Sequence, residues 1–274
     1  MRTLYVTDLD GTLLRSSETT SDYTNQTINE LVEKGMLFSY ATARSYSTSS
    51  KVAGGIKARI PLIVYNGAMV VDNATGQILL SNFFDADVKN LLDDLLASGV
   101  HPIVYAFVNG VERFAYVPQL CSRGVLDFTA SRRGDRRDQP VGSVEELYEG
   151  EIFYLTCIDA EEKLESFYQK YKERYHAVYQ RDLYSGEQWL EFMPKAATKA
   201  NAIKQLKGYL NCERLVVFGD GKNDVDMFEL ADESYAVENA VDELKQIATA
   251  VIGHHDSDGV ARWLAENAQT GEAE

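Results

Sequence analysis

Apolar and polar positions follow two different rhythms along this chain. Leu4 to Thr7 is a short β-prone run that ends in acidic residues and a glycine. Ile28, Leu31 and Val32 recur at helical spacing and stop at Gly35, a C-terminal cap. Met36 to Ala41 reads as the next strand. A helix-like stretch follows, then Pro61, then the apolar strand Leu62 to Tyr65. Strand, helix, strand, helix, strand is the rhythm of a parallel sheet with crossover helices. Val70-Val71 and Ile78-Leu79-Leu80 flank the turn-rich Asp72 to Gly76 and predict a hairpin.

The rhythm changes near Phe84. The pattern predicts a helix over Val88 to Ala97 and close strands over Ile103 to Val108 and Arg113 to Val117, with Asn109-Gly110 as the turn between them. A polar, arginine-rich stretch, Ser131 to Gln139, comes next. Strand Ile152 to Ile158, helix Glu161 to Tyr175, and strands Ala177 to Gln180 and Gln188 to Met193 follow. After Lys195 the first rhythm returns. It predicts helix Lys199 to Leu210, strand Leu215 to Phe218, helix Asp224 to Ala231, strand Tyr235 to Val237, helix Val241 to Ala248, strand Val251-Ile252 and helix Gly259 to Asn267. The tail from Gln269 to Glu274 is expected to fray. The organisation is one α/β domain, 1–83 with 187–274, interrupted by an inserted α+β domain, 84–186.

With 274 residues the chain can bury a core without disulfides or metal staples. It carries 27 Lys and Arg against 42 Asp and Glu, a net charge of −15, so it has no general attraction for nucleic acid or an anionic membrane. Neither is expected as a partner. Cys121, Cys157 and Cys212 form no paired motif and read as free thiols of a reducing compartment. No apolar run approaches the roughly 18 residues of a membrane span, and Asp8 and Asp10 interrupt any signal-peptide core. A cytoplasmic location is the expectation.

Two acidic clusters carry the candidate chemistry. Asp8-Leu9-Asp10-Gly11-Thr12-Leu13 follows the first strand directly, and residues two apart in extended chain point the same way. Both carboxylates then face the carboxyl end of the strand, where ligands bind in open α/β sheets. Gly219-Asp220-Gly221-Lys222-Asn223-Asp224 follows another strand and is again rich in oxygen ligands. Carboxylates at the ends of two strands of one sheet imply a hard divalent metal, with Mg²⁺ favoured over zinc or copper. Two further residues follow strands in the same layer: Thr42, whose hydroxyl can cradle a phosphate, and Lys199, whose ammonium can neutralise one. Asn66, in Asn66-Gly67 after the third strand, adds an amide.

In this order the segments closely resemble the four motifs of the haloacid dehalogenase superfamily, and the resemblance covers essentially the whole chain. Asp8 to Leu13 resembles the first motif and Thr42 the second; Lys199 matches the third, and Gly219-Asp220 through Asn223-Asp224 the fourth. Tyr65-Asn66-Gly67-Ala68 and Asp258-Gly259-Val260 make it look like the Cof-type group with a large α/β cap (the C2 type). One departure is Ala43, where the group commonly has glycine. The resemblance implies an α/β, Rossmann-like core with a parallel sheet and crossover helices, plus the inserted α+β cap that sets substrate choice. It implies a Mg²⁺-dependent phosphatase of a small phosphorylated metabolite, a sugar phosphate or a cofactor-related phosphate. Asp8 would be the nucleophile and Asp10 the general acid and base. Thr42, Lys199, Asn66 and Asn223 would bind phosphate, with Thr42 and Lys199 also counted as catalytic. Asp8, Asp10, Asp220 and Asp224 would surround the metal, Asp10 through its backbone carbonyl and Asp224 through metal waters or Lys199. A phosphomutase of the same superfamily and a phosphate-binding protein without turnover remain open alternatives. Two readings also stand for Arg132-Arg133-Gly134-Asp135-Arg136-Arg137: a solvated loop, or a contact to a distal anionic group of the substrate.

Overall fold

The computed structural model describes residues 2–181 and 186–270. Residues 271–274, the end of the tail expected to fray, lie outside them. The chain opens with β1 (Thr3–Thr7), α1 (Asp22–Glu33), β2 (Leu37–Ala41), α2 (Tyr46–Val52), β3 (Pro61–Val64), β4 (Met69–Asp72) and β5 (Ile78–Ser81). It continues with α3 (Val88–Ala97), β6 (Ile103–Val108), β7 (Val111–Tyr116), α4 (Arg123–Ser131), β8 (Asp138–Pro140), β9 (Glu151–Asp159), α5 (Glu161–Tyr171), β10 (His176–Arg181) and β11 (Gln188–Met193). It ends with α6 (Lys199–Tyr209), β12 (Arg214–Gly219), α7 (Val225–Leu230), β13 (Glu233–Val237), α8 (Asp242–Ile247), β14 (Ala250–Ile252) and α9 (Gly259–Asn267). Two compact units result, residues 1–81 with 198–274, and residues 82–197. Among the described residues no helix is long and apolar enough to cross a membrane.

The first unit is built on an eight-stranded sheet in the order β14-β13-β12-β1-β2-β3-β4-β5. The strands from β14 to β3 are parallel, and β4 and β5 add an antiparallel edge. β1 lies between β12 and β2, so every one of its residues is buried. That explains its unbroken β-prone run, since a strand covered on both faces need not alternate. The strand order reverses on either side of β1, which opens a crevice at the carboxyl ends of β1 and β12. On α9, the Trp263 ring packs against Tyr235, Phe218 and Tyr5, with centroids 4.3, 5.1 and 6.4 Å away. This cluster fixes the helix to the sheet beneath the crevice strands.

The second unit is a six-stranded sheet, β10-β11-β9-β6-β7-β8, antiparallel except for the β7–β8 pair. Leu91, Leu92 and Leu95 of α3 and Leu164 and Phe167 of α5 share a core with Val104, Leu155, Leu190 and Phe192 of the sheet. The β6–β7 turn is made by Asn109 and Gly110, both left-handed at φ 53° and 77°, the conformation a tight hairpin requires. Residues 187–197, assigned by the sequence to the flanking domain, belong to this unit instead. β11 pairs with both β9 and β10, and the hydrogen bonds of a mid-sheet strand outweigh its position in the chain. α4 is an element the sequence reading did not find, although its start carries a clear cap: Ser122 accepts the Val125 N–H. The arginine run that follows is not uniformly solvated. Arg137 is buried, with ion pairs to Asp135 and Glu112 at 2.6 and 2.8 Å, and Arg132 stacks over Phe128, whereas Arg133 and Arg136 are exposed.

Candidate active site

Three carboxylates and one ammonium meet in the crevice. Asp8 follows β1 and is held by its backbone N–H, which donates to Phe218 O on β12 at 2.9 Å. Lys199 is the first residue of α6, whose N-cap Thr198 accepts the Asn201 N–H at 3.1 Å. Its Nζ donates to Asp8 Oδ1 at 2.5 Å and to Asp224 Oδ1 at 2.8 Å. All three side chains are buried. Asp224 Oδ2 accepts the backbone N–H groups of Asp220 and Gly221, both at 3.0 Å, so both of its oxygens are engaged. Asp224 therefore orients Lys199 and shapes the loop after β12. Asp220 Oδ1 accepts the Thr12 hydroxyl at 2.8 Å, which joins the two acidic loops.

The charges in this group do not balance. Asp8, Asp220 and Asp224 offer carboxylate oxygens within 4.8 Å of one another, against the single positive charge of Lys199. Burial pushes the Asp8 carboxyl well above its usual range; Lys199 opposes this, and Asp224 and Asp220 reinforce it. Burial also raises Asp220, against the Thr12 hydrogen bond. For Lys199, burial alone would lower the ammonium, but Asp224 and Asp8 outweigh it and hold it above the usual lysine range. A crevice with surplus carboxylate charge and all-oxygen donors fits a hard dication such as Mg²⁺. Gly11, at φ 77°, makes the approach of the loops feasible: a Cβ there would lie 2.4 Å from Asp220 Oδ2.

Asp10 is not part of this buried group. Its side chain is half exposed, and the fork of Arg44 holds it, with Nε 2.8 Å from Oδ2 and a second guanidinium nitrogen 2.6 Å from Oδ1. Its carboxylate is thus separate from the three that could hold a metal, and only its backbone could join them. Arg44 is a residue the sequence reading passed over. The available signal was an arginine two positions beyond Thr42 in a strongly acidic chain.

Thr42 is buried beyond β2, where its N–H donates to Ile63 O at 3.0 Å and its hydroxyl accepts the Arg44 N–H at 3.1 Å. Asn66 is also buried, and its backbone N–H donates to Thr42 O at 2.9 Å. Tyr65, Asn66 and Gly67 are all left-handed, at φ 52°, 52° and 95°. The tight turn they make lies against the start of α6: a Cβ on Gly67 would fall 2.2 Å from Thr198 O. The loops that carry Thr42, Asn66 and Lys199 therefore brace one another. Asn223 differs, being exposed on the short turn Lys222–Asp224, with no hydrogen bond that ties it to the buried group. Asn239, unforeseen from the sequence, donates to Gly11 O at 2.7 Å and so secures the first acidic loop from the β13 side.

The model of the haloacid dehalogenase-like hydrolases matches residues 5–264. A 5-amino-6-(5-phospho-D-ribitylamino)uracil phosphatase of Bacillus subtilis, YitU, is 29% identical, with 96% of each chain covered. A second B. subtilis phosphatase of that name, YwtE, is 27% identical over 94% of this chain and 95% of its own. The solved structure of TM0651 from Thermotoga maritima superposes with a TM-score of 0.78, at 24% identity and full coverage of both chains, and shares the fold. With that family model matching nearly the whole chain, and relatives along its full length that are named phosphatases, the chain belongs to the haloacid dehalogenase-like hydrolase family.

Proposed function

We propose that this protein is a Mg²⁺-dependent phosphatase that hydrolyses a small phosphorylated metabolite through an aspartyl-phosphate on Asp8. The observation that carries the reading is the buried Lys199 bridging Asp8 and Asp224 at the carboxyl ends of neighbouring strands. Asp8, Asp220 and the Asp10 backbone carbonyl would hold the metal, with Asp224 acting through Lys199. Bound there, Mg²⁺ supplies positive charge against the repulsion between a carboxylate and a phosphate dianion. A carboxylate oxygen of Asp8 attacks phosphorus, and the bond to the leaving oxygen breaks as Asp10 hands that oxygen a proton. Asp10 then takes a proton from water, which attacks phosphorus, releases inorganic phosphate and restores Asp8. Lys199 and Thr42 hold the phosphoryl oxygens, Asn66 fixes the Thr42 loop, and Arg44 keeps the Asp10 carboxylate in one orientation until substrate arrives.

Discrimination among leaving groups is assigned to the inserted unit, and the phosphoryl chemistry to the other. The two B. subtilis relatives make a phosphorylated polyol carried on a heterocycle the first substrate class to assay. The test is hydrolysis of a chromogenic aryl phosphate with Mg²⁺, after exhaustive chelation, and by Asp8→Asn. An amide cannot attack phosphorus usefully, yet it relieves carboxylate repulsion, so the variant should fold and lose turnover. Turnover at the wild-type rate by folded Asp8→Asn would refute the nucleophile, and full activity after chelation would refute the metal.

A further inference from the structure

A second convergence of metal-binding side chains lies outside the acidic group and shares no residue with it. His254, His255 and Asp256, in the turn after β14, each offer a ligand atom within 4.8 Å of the others. The Asp256 Oδ2 atom is 3.9 Å from His254 Nδ1 and 3.8 Å from His255 Nε2. We propose that these three side chains form a binding site for a late first-row transition ion of the zinc class.

The chemistry of the donors selects the ion. Two imidazoles and one carboxylate suit Zn²⁺, Co²⁺ or Ni²⁺, whereas Mg²⁺ prefers oxygen and water. Ligand bonds of 2.0–2.1 Å in tetrahedral geometry put ligand atoms about 3.3–3.4 Å apart. Contraction of roughly half an ångström on each edge to Asp256 is therefore needed, and His254 Nδ1 must exchange its hydrogen bond from the Asp256 N–H for the ion.

The surroundings hold two of the three donors, His255 and Asp256, in ligating form. His255 Nδ1 lies 2.7 Å from Leu14 O, which can only accept, so Nδ1 carries the hydrogen and Nε2 keeps its lone pair toward Asp256. The Asp256 carboxylate is fixed by Ser16, whose N–H donates to Oδ1 at 2.8 Å and whose hydroxyl donates to Oδ2 at 2.7 Å. His254 Nδ1 accepts the Asp256 N–H at 3.1 Å, which places it on the side of the cluster but occupies its single lone pair, so a bound ion would replace that hydrogen bond. Backbone and hydroxyl partners of this kind orient the ligands of bound metals. The neighbouring Asp258 does not compete, because its oxygens already accept from Arg15, Ser21 and Thr24.

A bound ion would do more than occupy the turn. Leu14 and Ser16 continue the loop that begins at Asp8, and Asn239 accepts the His255 N–H while donating to Gly11 O. The site would therefore pin the far end of the first acidic loop.

The experiment is a Zn²⁺ titration of the full chain, free of any histidine tag, against a competing chromogenic chelator and in excess Mg²⁺ to occupy the acidic group. Wild type, His254→Gln, His255→Gln and Ser16→Ala are compared, with circular dichroism to establish the fold of each. Wild type should hold one equivalent of Zn²⁺ that both histidine variants lose, and Ser16→Ala should bind about tenfold more weakly. Co²⁺ in place of Zn²⁺ should give a visible absorption band in wild type that disappears in His254→Gln, a half-exposed position where folding is not at stake. Absence of Zn²⁺ binding by wild type in excess Mg²⁺, or equal binding by wild type and the histidine variants, overturns the proposal.

Discussion

Gly67→Ala perturbs the brace between two site loops without touching any charged group. Two effects add at this position. The left-handed backbone at φ 95° strains any residue with a Cβ, by about 1–2 kcal/mol. The new methyl would also meet Thr198 O at 2.2 Å and its carbonyl carbon at 2.6 Å, well inside contact. That carbonyl is not free to retreat, because it accepts the Ala202 N–H at 3.0 Å as part of the first turn of α6. Forcing atoms into such a packed place costs a further 1–3 kcal/mol or so. A total loss of about 2–5 kcal/mol is expected, together with a displaced Lys199. Gly76→Ala is the matched control in the same unit. It shares a positive φ, 72°, but its Cβ would meet only the Tyr46 ring edge at 3.4 Å. It should show the strain alone, about 1–2 kcal/mol, and keep its turnover. Urea denaturation of both variants, followed by aryl phosphate kinetics, separates the effects. Equal destabilisation by the two, with Gly67→Ala as active as wild type, would refute the brace.

Lys199→Met should abolish turnover and cost about 3–5 kcal/mol, because two buried carboxylates lose their shared cation; urea midpoints should show that adding Asp224→Asn restores part of the loss, and strict additivity would count against a coupled group. Arg44→Ala should change stability by less than about 1 kcal/mol, since its ion pair with Asp10 is partly exposed, yet lower kcat more on alkyl than on aryl phosphates. Equal loss on both substrate types would separate Arg44 from leaving-group protonation. Glu191, half-buried on β11, is pushed up to about 7 from 4.5 by burial, against a hydrogen bond from Tyr154. A carboxyl raised in the folded state holds its proton there while the unfolded chain releases it, so stability falls as pH rises from about 4.5 to 7 and then levels. Glu191→Gln should remove that slope, with a gain above pH 7 of at most about 3 kcal/mol; parallel urea midpoints for variant and wild type at pH 5 and pH 9 would refute it.

The α/β core was legible because its strands are buried on both faces and its loops carry chemistry at strand ends. The runs around Tyr5 and Val217 and the acidic pairs after them stand out without any knowledge of contacts. Helix α4 was not legible, since Gly124 in its first turn and the arginines beyond it mask a short amphipathic pattern; only the Ser122 cap announces it. The fork from Arg44 to Asp10 joins residues 34 apart, and no local pattern specifies which cation will meet which carboxylate. The braces through Gly67 and Asn239 were hidden for the same reason. A glycine reads as a turn in any sequence, while the atom that forbids a side chain there belongs to a distant segment.

The register of the central strand pair has a consequence for biosynthesis. Thr3 of β1 faces Arg214 of β12, so after the first strand ends at Thr7 the ribosome makes 206 more residues, 8–213, before its partner begins to appear. At about 5–20 residues per second that interval is roughly 10–40 s. During it β1 has β2 on one side and an open row of backbone groups on the other, beside the apolar face later covered by α9. The inserted unit is contiguous in the chain, 82–197, and is complete before β12 is made. Each unit holds one of the two tryptophans, Trp189 and Trp263. The newborn chain therefore passes through a state in which the middle is finished and the two ends wait for each other, a state in which an exposed strand edge is most in need of a chaperone.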